Sequence, residues 1–104
     1  MPFGYGWEKF FGAILGAVSN EQPLRERLES AYDNHLINLE EGHVPPDVWA
    51  RLKKLEQAVE GSAAASGSAM SDGDAAKWLQ EIVSMFSEVA QAHGGENYRR
   101  GTKM

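Results

Sequence analysis

Cysteine is absent from the 104 residues, which excludes a disulfide framework, a thiolate metal site and a cysteine nucleophile together. That absence fits a reducing compartment, and a cytoplasmic location is the expectation. No run of apolar residues is long enough for a membrane span. The uncharged stretch between Lys9 and Glu21 holds about half of the roughly 20 apolar residues that a transmembrane helix needs. Phosphate-cradling signatures are also missing: neither Gly-x-Gly-x-x-Gly nor a Walker pattern occurs. No serine sits in a Gly-x-Ser-x-Gly elbow, so the usual nucleophile arrangement is lacking. Positive charge is scarce, with 10 Lys and Arg against 15 Asp and Glu and a net charge of −5. An acidic body repels a phosphate backbone, so no nucleic-acid partner is expected. The exception is the basic tail 94–104, where Arg99, Arg100 and Lys103 accompany Tyr98. Three positive charges support only a weak, salt-sensitive contact, and a solvated, disordered terminus is the simpler expectation.

What the sequence does contain is helical periodicity. Leu24, Leu28, Ala31, Tyr32, His35, Leu36 and Leu39 recur at steps of three and four residues, as do Val48, Trp49, Leu52, Leu55 and Val59. Each set lies on one side of a helix and drives that side to be buried. Between them, Gly42 suits a left-handed helix end and Pro46 suits a first helical turn. A short connection makes the pair an antiparallel hairpin. Ser19 and Asn20 are candidate caps for the first of these helices. Before it, Trp7, Phe10, Phe11, Ile14, Leu15 and Val18 form an apolar stripe, with the small residues Gly12, Ala13, Gly16 and Ala17 on the other side. Residues 1–6, with Pro2, Gly4 and Gly6, are too irregular to extend that helix. A last stripe from Ala75 to Ala92 follows the cap signal Ser71-Asp72-Gly73-Asp74, and Gly94-Gly95 should stop it.

The fold class is therefore all-α: a small up-and-down bundle of three to four helices at about 7–18, 20–41, 46–60 and 72–93, the first one aromatic. Residues 1–93 form one helical domain, with a flexible Gly/Ser/Ala linker at about 61–71.

Chemistry is harder to find. His35 falls on a buried stripe, His43 in the hairpin turn and His93 in the last turn of the fourth helix. Glu40-x-x-His43 resembles half of a di-iron Glu-x-x-His site. No second copy of that motif exists, since Glu88 is followed three places on by Gln91. A metal-binding helical protein is thus the weakest alternative. Neighbouring carboxylates such as Glu40 and Glu41 point in different directions on a helix and do not pair as acid and base. No catalytic residue, metal ligand or cofactor is assigned, and an enzyme is not the favoured class.

Three expectations compete for the aromatic helix. It is a core helix, an interface for a protein partner or a second copy of the chain, or an amphipathic anchor holding residues 3–18 at a membrane surface. Gly12-x-x-x-Gly16 has the spacing of close helix pairs, but the polar side lacks the Lys and Arg of membrane-surface helices. A secretory signal ending near Ala17-Val18-Ser19 is disfavoured by Glu8 beside Lys9. The favoured function is a small non-catalytic interaction or regulatory protein, self-associating as a homo-oligomer. Trp7, Phe10, Phe11, Ile14 and Trp78 are its interface candidates.

Overall fold

The computed structural model describes residues 2–19, 21–64 and 70–101. It is all-helical, with no strand among the described residues. Helices α1 (Pro2–Val18), α2 (Leu24–Asn34), α3 (Pro46–Ala64) and α4 (Asp72–Gly101) alternate in direction, and each packs on the next. Helix α4 also packs on both α1 and α2, so these three make the most extensive contacts and α3 lies against α2 and α4. The core fills with Phe10, Leu28, Leu36, Val48, Leu55, Ile82, Met85 and Val89, all essentially sealed from water.

Several element ends differ from expectation. Helix α1 starts at Pro2 rather than Trp7. Proline is at home in a first turn, and packing overrides the low propensity of Gly4 and Gly6. Helix α2 stops at Asn34, where His35 adopts φ −131° and ψ −60°. Two single 3-10 turns, Leu36–Asn38 and Glu41–His43, then lead to α3. Leu36 and Leu39 stay buried and Ile37 stays exposed, because three residues per turn keep positions i and i+3 on one side as an α-helix does. Gly42 lies in the second turn and does not take a left-handed φ.

Asn20, the proposed cap, lies outside the described residues. Ser19 instead closes α1 by donating its hydroxyl to the Leu15 carbonyl at 2.7 Å. Helix α3 passes Gly61, and α4 runs through Gly94-Gly95. Extending an existing helix needs no new nucleus, so glycines at about 1 kcal/mol each do not stop it. Of the anticipated linker, residues 65–69 lie outside the described residues, as do residues 102–104 of the tail. The cap at Ser71 is formed, its Oγ accepting the Asp74 N–H at 3.1 Å.

Helix α3 is tied to its neighbours by polar contacts. Arg51 donates to Glu81 through Nε at 2.6 Å, to Ser84 Oγ at 2.9 Å and to Glu88. The three partners lie at i, i+3 and i+7, one face of α4. Because these groups are partly solvated, replacing Arg51 by alanine should cost only about 1 kcal/mol. In urea melts that loss should shrink in high salt. On the other side, the buried Tyr32 hydroxyl donates to Glu56 Oε2 at 3.0 Å. Burial, then Glu56 itself, pushes the Tyr32 phenol up. Lys53 first, and Tyr32 second, hold the Glu56 carboxyl below its usual range. A lowered folded-state value means that this stabilisation is complete above about pH 4.3, the ordinary glutamate value. It is lost as pH falls through the lower folded value. Wild type and Glu56→Gln should therefore differ in melting temperature at neutral pH and converge in strong acid.

Candidate functional site

Helix α1 buries Gly6, Phe10 and Ala13 and leaves Phe11, Leu15 and Val18 exposed. The large stripe lies to one side: Phe11 is 46% exposed, Leu15 52% and Val18 71%, and Val83 of α4 beside them is 52% exposed. Small residues on the contact face, here Gly6 and Ala13, let a helix approach its neighbours closely. Gly6 makes the closest approach: a Cβ there would run into the His43 carbonyl oxygen and lie 3.0 Å from Val44 Cγ1. Gly12-x-x-x-Gly16, which suggested a helix pair, instead seats the imidazole of His35. A Cβ on Gly12 would be 2.9 Å from His35 Nδ1, and one on Gly16 would be 3.8 Å from Nε2.

The aromatic end of the face is built across α1 and α4. Trp7 stacks on Phe11 with ring centroids 5.2 Å apart and interplanar angle 5°. Phe86 of α4 tilts against both, at 5.9 and 6.4 Å, within the range where aromatic pairs attract. Further along, Ala13, Ile14, Ala17, Val18, Leu79, Ile82 and Val83 line an apolar hollow of about 130 Å³, with Arg27 among its walls. The Arg27 Nε is turned back to the Gln22 carbonyl at 2.5 Å.

Of the residues singled out from sequence, Trp7, Phe11 and Ile14 belong to this face, half-buried or exposed. Phe10 does not: it is wholly buried and cannot present a surface from this fold. Trp78 lies elsewhere, in a cleft between α3 and α4. The tryptophans do not converge in the core, as Trp49 sits apart under Lys53, whose Nζ is 5.0 Å from its ring centroid. Leu15, Val18 and Val83 complete the face, and sequence reasoning passed over them as interface residues. The signal available for Leu15 and Val18 was the absence of charge from Phe10 to Asn20.

No reactive centre accompanies the face. Glu40-x-x-His43 is a capping arrangement, in which His43 Nδ1 accepts the Glu40 N–H at 2.9 Å and the Glu40 side chain returns to the turn. The imidazole also packs on Tyr5, centroids 4.5 Å apart. Among the described residues, no three His, Asp or Glu side chains converge as a metal site. No helix among them is long and apolar enough to cross a membrane. Compared with known proteins, the chain matches no family model, no curated protein and no solved structure.

Proposed function

We propose that this chain is a non-catalytic interaction protein that associates with a second copy of itself through the α1–α4 face. The observation that carries this reading is the orientation of α1, which leaves Phe11, Leu15 and Val18 outside while Gly6, Phe10 and Ala13 pack inside. Those three side chains with Val83 offer on the order of 300 to 400 Å² of apolar surface, within the range of the largest patch on a typical monomer, which is often functional. The same face carries both projecting side chains and an apolar hollow of about 130 Å³. For comparison, a dry cavity of roughly 150 Å³ accepts a benzene ring. Knob and hollow on one surface are what an isologous two-fold contact needs. Contact through an uncharged stripe also keeps the acidic groups of two chains, each of net charge −5, away from the interface.

A membrane surface suits the face less well, since Arg27 alone beside it, in a chain of net charge −5, gains little from anionic lipid. The patch is about half of what each partner buries in a standard interface, so a dissociation constant on the order of micromolar is expected. Sedimentation equilibrium across a concentration series should show 11.4 kDa chains pairing. Leu15→Glu should abolish pairing while moving stability by less than about 0.5 kcal/mol, as at other exposed positions. Wild-type chains that stay monomeric into the millimolar range would overturn self-association.

A further inference from the structure

We propose that the cleft between α3 and α4 binds a small aromatic anion, a planar ring carrying one carboxylate or phosphate. The two helices are pinned where Arg51 meets Glu81 and Glu88. From there a cleft of about 590 Å³ opens toward the end of α3 and the start of α4, within the size range of small-molecule sites. One wall carries Arg51, Lys54 and Ala58, at i, i+3 and i+7 on α3. The other carries Asp74, Lys77, Trp78 and Glu81 of α4.

The charges are divided unequally. Arg51 is engaged with its two carboxylates, whereas Lys54 and Lys77, one on each wall, have no ion-pair partner among the described residues. With Glu88, which holds Arg51, counted beside Asp74 and Glu81, the cleft is neutral overall, and Lys54 and Lys77 are its two uncommitted positive charges in a chain of net charge −5. Two unpaired ammonium groups lining one concavity attract an anion there. Trp78, half-buried, lines the same cleft as the two lysines and supplies an aromatic surface, and Ala58 and Met70 extend the apolar lining. An indole and a lysine from each wall lining one cleft select for charge and ring together: the ring stacks on Trp78 while its anionic group is drawn to the ammonium groups. None of these residues belongs to the α1–α4 face, so this proposal and self-association stand or fall separately.

The test is an NMR titration of the isotope-labelled full chain with 2-naphthoate, 2-naphthyl phosphate and the neutral 2-naphthamide. At least one of the two anions should shift the Trp78 indole N–H and the Lys54, Ala58 and Lys77 amides saturably. Naphthamide should bind at least tenfold more weakly. The tighter anion identifies carboxylate or phosphate as the group recognised. The double variant Lys54→Gln/Lys77→Gln, exposed at both positions, should melt like wild type and bind the anions no better than the amide. Equal binding of naphthamide, shifts confined to Phe11 and Val83, or no saturation by either anion up to roughly 10 mM would overturn the proposal.

Discussion

Phe10→Ala and Phe11→Ala, one residue apart, are expected to behave as opposites. Phe10 is wholly buried among the core residues, so truncation removes its transfer free energy and leaves a cavity. The expected loss is about 3–5 kcal/mol, with a fall in melting temperature of more than about 12 °C for a domain of this size. Phe11 is close to half exposed and touches chiefly Trp7 and Phe86. Its truncation should cost about 1 kcal/mol in the monomer, comparable to one aromatic pair. Sedimentation of the Phe11→Ala chain should nevertheless show pairing weakened by tenfold or more. Thermal melts and sedimentation on both variants separate the two roles. Equal stability losses would mean that the outward rotation of α1 is wrong.

The glycines of α1 provide the second large contrast. Alanine at Gly6 gains up to about 1 kcal/mol of helix propensity but must displace backbone, because its Cβ would collide with the His43 carbonyl. Overpacking of a rigid site costs about 1–3 kcal/mol, occasionally more, and backbone cannot swing aside as a side-chain tip can. We expect Gly6→Ala to lose about 2 kcal/mol net, with α1 shifting off the second 3-10 turn. Gly16→Ala should do the reverse, since its Cβ would meet only His35 Nε2 at an ordinary 3.8 Å. A gain of about 0.5–1 kcal/mol is expected there. Gly12→Ala should fall between them, because the half-buried His35 ring it would crowd can rotate away. Melting curves of the three variants check the order.

The helical class and most of the core were legible because buried apolar positions recur with the helical period. The route of the chain through 35–45 was not, for a definite reason: Leu36 and Leu39 are three apart, and an α-turn and a 3-10 turn bury that pair equally well. On α1, hydrophobic patterning misassigns Phe10 to the exposed face for a different reason. Phe10 and Phe11 belong to one broad apolar stripe in the sequence, and only the approach of the neighbouring helices beside Gly6 and Ala13 decides that Phe10 is buried and Phe11 is not. Gly6 acquires its role only through His43, distant in the chain, so its local sequence reads as irregular. The grip of Arg51 on Glu81 and Glu88, and the cleft beyond it, depend on the register of α3 against α4. That register is fixed by three-dimensional packing rather than by spacing within either helix.

The most direct test of the outward face is paramagnetic broadening between chains. The natural sequence lacks cysteine, so Ser87→Cys at an exposed position of α4 gives a single site for a spin label. Labelled chains mixed with isotope-labelled wild type should broaden the amides of Phe11, Leu15, Val18 and Val83 in the unlabelled partner. Ile37, exposed on a different part of the surface, should keep its intensity. Broadening centred on Ile37, or no intermolecular broadening at millimolar concentration, would contradict the account.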